Sequence, residues 1–146
     1  TPSIRRYRAC EVMLQEAGVD CINACLEQEF NRQTYQVEIE RLLRQYPQAD
    51  GLFSTDLIAL NAMKLLNTHG VNVPDAFSIV GYDGVEISSL CTPALTHVRQ
   101  PLQQLADVCV QTLVRKMQGE SLTKNVILED VELVRGGTTR PMADPV

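Results

Sequence analysis

The chain has 146 residues, 45% of them hydrophobic, with a formal net charge of −5 and a pI near 5.0. This is enough apolar content to bury a core as one domain or two small lobes, and an acidic balance that argues against nucleic-acid binding by these residues. Phosphate contacts need clustered Lys and Arg, whereas the 13 basic residues are scattered apart from Arg5-Arg6-Tyr7-Arg8.

No apolar run approaches the ~20 residues that span a bilayer, and Thr1-Pro2-Ser3 opens no signal peptide. A soluble, cytoplasmic protein with no membrane partner is therefore expected. Ile4 to Ala17 carries Ala9, Cys10, Met13, Leu14 and Ala17 at helical spacing, and Gly18 stops the helix. Residues 21–26 read as a short strand. A second helix runs from Asn31 to Tyr46 through Tyr35, Ile39, Leu42 and Leu43, ended by Pro47, which pushes the residue before it out of the α region. Gly51 to Ser54 is the next strand, and a helix from Asp56 to about His69 follows, with Thr55 or Asp56 as its cap and Gly70 at its end.

The strand Ser78 to Gly81 completes an α-β-α-β-α-β alternation, the mark of a parallel sheet covered by helices. Residues 84–93 read as a loop and Leu95 to Val98 as extended. Pro101 starts a helix bearing Leu102, Leu105, Val108, Cys109, Leu113 and Met117, stopped by Gly119. Val126 to Arg135 alternates like a strand.

Chemistry concentrates where the strand Phe77-Ser78-Ile79-Val80 runs into Gly81 and delivers Asp83 near its carboxyl end. Open α/β sheets bind ligands at that end. A carboxylate there either accepts paired hydrogen bonds from a polar ligand or caps the Tyr-Asp-Gly turn. Thr55 and Asp56, at a strand-to-helix junction, either line the same cleft or cap the helix. His97 lies on an apolar-flanked strand and reads as a packing residue or a backbone partner.

Other chemistries find little support. Of the five cysteines, Cys21 and Cys25 have half of a zinc spacing, but no second Cys or His pair accompanies them, since His69 and His97 are isolated. Reduced core thiols, with no metal and no cofactor, are the reading. No Gly-x-Ser-x-Gly elbow or phosphate-binding Gly-x-x-x-x-Gly-Lys loop occurs, and Gly136-Gly137-Thr138-Thr139 precedes no helix. No catalytic residue is assigned, and the chain does not read as an enzyme.

Several signatures occur together and in order: Arg6-x-x-Ala9, Asp56-Leu57-Ile58-Ala59-Leu60-Asn61, Gly81-Tyr82-Asp83, Pro93-Ala94-Leu95-Thr96-His97-Val98-Arg99-Gln100-Pro101 and Arg135-Gly136-Gly137-Thr138. With them the chain resembles the effector-binding domain of the lactose-repressor/galactose-repressor family of bacterial transcription regulators. Ala9, Tyr35 and Asn61 stand where that family usually has glycine, and Gly137 where it has serine.

The resemblance implies a periplasmic-binding-protein-like type I fold, with residues 1–98 forming the C-terminal lobe. Residues 99–146 would be the crossover, helix and strand returning to the N-terminal lobe, and a tail. The opening half of that lobe and a helix-turn-helix would precede Thr1. Operator DNA would then be a partner only through that preceding domain.

The same resemblance implies a sugar or related metabolite as effector and a homodimer or tetramer in the complete protein. Asp83 and Arg6 would be ligand contacts, with Phe30 against the sugar ring and Gln100 at the crossover. Packing competes as the role of Phe30, and backbone satisfaction as the role of Gln100. A sugar-binding protein of a transport system shares the two-lobed fold and is the rival reading.

Overall fold

A computed structural model describes residues 2–22, 32–121 and 130–141. Nine elements follow one another among these residues: α1 (Pro2–Glu16), α2 (Arg32–Gln45), β1 (Gly51–Phe53), α3 (Asp56–Thr68), β2 (Ser78–Asp83), α4 (Ile87–Leu90), β3 (Thr96–Arg99), α5 (Leu102–Met117) and β4 (Glu132–Val134). The expected strand at 21–26 lies for its greater part outside the described residues, and so does Phe30. Residues 84–93, anticipated as a plain loop, contain the single turn of α4.

The four strands form one sheet in the order β1-β2-β3-β4. β1 and β3 run parallel to β2, with Phe53 opposite Val80 and Asp83 opposite Arg99. These parallel pairs, joined by helical crossovers, are what the alternating pattern of residues 51–99 requires.

The core forms between α3 and the sheet. Ala59, Met63 and Leu66 present one face of α3 to Phe77, Ile79 and Leu95, with Ile79 and Leu95 at 0% and 1% exposure. A second cluster joins α2 to α3 through Tyr35, Ile39, Ala62 and Leu65. Tyr35, where the resembled family has glycine, is itself a buried packing residue. Asn61, another such position, donates from Nδ2 to Leu57 O one turn back at 2.7 Å.

β4 and the residues after it extend and close the sheet. The strand pairs antiparallel with β3, His97 opposite Val134 and Arg99 opposite Glu132, and so joins the same sheet. Thr138 then inserts completely: it is 0% exposed, its Oγ1 donates to Ile79 O at 2.7 Å, and Thr96 N donates to it at 2.9 Å. Its carbonyl accepts from Ile79 N at 2.8 Å, and Gly137 N donates to Ala94 O at 2.7 Å. The reason is polar satisfaction, because the backbone groups of β2 and β3 at this end have no other strand to pair with and burial demands a partner.

α1 and α5 contrast with α3. α5 carries no buried residue, and Leu102, Leu105, Val110, Leu113 and Met117 are all exposed. On α1 the half-buried stripe is Arg6, Tyr7, Cys10, Glu11 and Leu14, while Met13, expected on the apolar face, is 65% exposed. Arg6 therefore shares the inward stripe with Cys10 and Leu14, at i, i+4 and i+8.

Candidate functional site

β2 ends at Asp83, whose φ of 131° is a backbone conformation rare outside glycine. The unusual turn carries its carboxylate to Gln100, just past the end of the neighbouring strand. Gln100 Nε2 donates to Asp83 Oδ1 at 2.8 Å, and Gln100 N donates to Asp83 O at 3.2 Å. The guanidinium of Arg6 lies 3.9 Å from the same Oδ1, with both side chains about one-third exposed. One carboxylate is thus shared by an amide and a cation reaching it from two other elements.

Two aromatic rings adjoin this group. Arg6 stacks over the Tyr82 ring, 4.4 Å from the guanidinium carbon to the ring centroid, a cation–π arrangement that fixes the plane of its donors. Phe53, the last residue of β1, meets Tyr82 edge to face at 6.2 Å and an interplanar angle of 82° and is 40% exposed. Sequence reasoning selected neither ring. The signal was available, since Phe53 ends a strand just as Asp83 does and Tyr82 adjoins Asp83.

Thr55 occupies the N-cap position of α3, yet its side chain makes no cap hydrogen bond. Asp56 turns away from its own helix. Its Oδ2 accepts from Gly84 N at 2.9 Å, Val85 N at 2.8 Å and Ser88 Oγ at 2.8 Å, and the residue is 1% exposed. Capping therefore goes to the turn after β2, not to α3. No sequence signal singled out Ser88, because the contact spans 32 residues.

His97 is buried, with Nδ1 2.9 Å from Leu95 O, the backbone-partner role its flanks suggested. Among the described residues no group of three or more His, Cys, Asp or Glu is placed to hold a metal ion. Burial and then the neighbouring Cys21 raise the Cys10 thiol above its ordinary value. Tyr7 is pushed up to about 12, mainly because its hydroxyl donates to Glu11 Oε1 at 2.7 Å.

As a whole the cluster supplies a carboxylate acceptor, a forked cation, an amide and apolar ring faces at the carboxyl ends of β1 and β2. That combination has the chemistry to orient a small polar molecule carrying hydroxyl groups. A family described as the periplasmic binding protein-like domain matches residues 1–139. The chain belongs to this family.

Within this periplasmic binding protein-like family, its relatives include regulators. The ribose operon repressor of Halalkalibacterium halodurans is 32% identical over 123 residues, which are 84% of this chain and 37% of that protein. The transcription regulator CcpA of Lactococcus lactis superposes with a TM-score of 0.76 at 27% identity, covering 89% of this chain and 48% of that one. The Lac repressor bound to ONPG superposes at 0.77, also at 27% identity, covering 92% and 40%. The chain spans less than half the length of each. These similarities carry the mixed α/β fold with its helix-flanked sheet, and the effector-domain form of the family as found in LacI-type regulators.

Proposed function

We propose that this chain is the ligand-sensing part of a sugar-responsive transcriptional repressor of the cytoplasm. A small metabolite, a sugar or sugar phosphate, binds in a cleft between two lobes, and closure of the lobes shifts the DNA-binding state of the complete protein. The observation that carries this reading is the convergence of Arg6 and Gln100 on Asp83 at the carboxyl end of β2, with the Tyr82 ring under the Arg6 guanidinium. Asp83, Arg6 and Gln100 are its hydrogen-bonding contacts, with Thr55 at the rim and Phe30 or the Phe53–Tyr82 pair as its ring faces.

Operator DNA is a partner of the complete protein only, through a segment other than these acidic residues. Relatives that are regulators favour this over a transport protein, and over an enzyme. The exposed α5 belongs, on this reading, against the second lobe. A homodimer or tetramer fits the exposure of Val37, Leu57, Ile87 and Leu90, because large apolar side chains on several elements of one domain favour association.

Calorimetric titration of the full-length protein with D-ribose, D-xylulose, lactose, cellobiose and their available phosphate esters tests the proposal. Saturable binding by one of them, lost in a folded Asp83→Ala variant, is the expected result. Unchanged affinity in that variant refutes the site.

A further inference from the structure

We propose that Asp56 is the positioning residue of the site, its carboxylate setting the turn that aims Asp83 while making no ligand contact of its own. The inference rests on the reading of Asp83 as a ligand contact. Three donors converge on Asp56 Oδ2, and all come from the segment immediately after Asp83: the backbone amides of Gly84 and Val85 and the hydroxyl of Ser88. That segment holds two successive residues at positive φ, Asp83 at 131° and Gly84 at 80°. A non-glycine residue keeps such a conformation only where its surroundings over-determine it.

Gly84 is over-determined from the other side as well. A Cβ on it would stand 2.6 to 2.9 Å from Cγ, Cα and Cβ of Arg99, so the turn is held between β3 and the Asp56 carboxylate. Charge-assisted bonds to backbone amides are the strong kind, and one anion beneath the turn serves two of them at once.

Burial separates Asp56 from the ligand contacts. It is 1% exposed, whereas Asp83 and Arg6 are about one-third exposed. Its second oxygen, Oδ1, is buried and has no hydrogen-bond partner. This oxygen lies in the space that a Cβ on Gly81 would take, with Leu95 Cδ2 at 2.6 Å from the same point. The bare backbone of Gly81 therefore lets β2 pass over the carboxylate. An unpartnered carboxylate oxygen in such a place is costly, and the return for that cost is the fixed turn after Asp83.

The test uses the full-length protein with Asp56→Asn, which keeps shape and an acceptor but removes the charge, and Ser88→Ala, which removes one bond at the far side of the same carboxylate. Hydrogen exchange measured by mass spectrometry over residues 83–88 needs no ligand. Asp56→Asn is expected to speed exchange there about ten-fold, as weakening of charged hydrogen bonds implies, while β3 keeps its protection. Affinity for the tightest-binding sugar among D-ribose, D-xylulose, lactose and cellobiose should fall by roughly the same factor, with Ser88→Ala intermediate in both measurements.

Unchanged exchange at 83–88, or exchange raised uniformly over the sheet, overturns the proposal. So does lost affinity with an unaltered turn, since Asp56 would then be a direct contact. Asp83→Ala serves as the control: if it binds sugar normally, the site itself is misassigned, and the exchange measurement still decides whether Asp56 sets the turn. Should Asp56→Asn not fold, Ser88→Ala carries the same comparison.

Discussion

Gln100 holds Asp83 twice, through a side-chain bond of 2.8 Å and a backbone bond of 3.2 Å. The residue that leaves β3 for α5 is thereby tied to the residue that ends β2. The two bonds couple the position of Gln100 to that of the Asp83 carboxylate. Gln100→Ala should keep the fold and weaken sugar binding by about ten-fold, because a hydrogen bond to a charged group is worth about 1.5–3 kcal/mol. Calorimetry on the full-length protein checks this.

Arg6 combines an ion pair with a ring contact, and lysine reproduces only the first. The planar guanidinium both stacks on Tyr82 and presents a fork of donors, whereas an ammonium group is a point charge. Arg6→Lys should therefore lose affinity nearly as severely as Arg6→Ala, with thermal stability almost unchanged, since partly exposed pairs contribute little to it. Affinity close to that of the unsubstituted protein in Arg6→Lys would show that charge alone suffices.

Thr138 closes the far end of the sheet. Thr138→Val preserves shape but leaves Ile79 O and Thr96 N without their side-chain partner in a fully buried place. Each orphaned group costs about 1–3 kcal/mol, so thermal or urea unfolding should show a loss of a few kcal/mol. A change no larger than a surface substitution produces would mean that these groups find other partners.

Tyr7 gives a pH signature. Its hydroxyl donates to Glu11, which raises its pKa from 10.0 to about 12, so the contribution to stability is fully present below pH 10 and is lost as pH rises through 12. Tyrosinate absorbance should show Tyr7 among the late-ionising of the four tyrosines, beside Tyr35, which burial also raises. Glu11→Gln should return Tyr7 toward 10.0, because the neutral amide weakens the hydrogen bond that holds the proton and removes the charge that opposes ionisation.

Leu95 tests the core. It is 1% exposed and packs with Ile79, Phe77 and the inner face of α3. Leu95→Ala should destabilise by about 2–5 kcal/mol, read from denaturant unfolding, without removing any polar contact of the site.

The parallel sheet, the helix crossing from Asp56 to Thr68 and the delivery of Asp83 at a strand end were all legible in the sequence. The periods of 3.6 and 2.0 are local properties, so the chain declares which face of each element is apolar. Gly81 and Gly84 were visible as punctuation, but not as the places where backbone closes over Asp56 and Arg99.

Partnership across the chain is what only the tertiary structure decided. Asp56 reads from the sequence as a helix cap or a cleft residue, and donors 28 to 32 residues away tie it instead to the turn after β2. Phe53 and Tyr82 meet because β1 lies beside β2. Arg6, not Arg5 or Arg8, reaches Asp83 because it alone of the three lies on the half-buried stripe of α1. The alternation of residues 126–135 announced a strand, but its pairing with β3 and the burial of Thr138 followed from which backbone groups of β2 and β3 remained unpaired. Periodicity marks the face an element must bury. The hydrogen-bond partner it will find there depends on where the rest of the chain has gone.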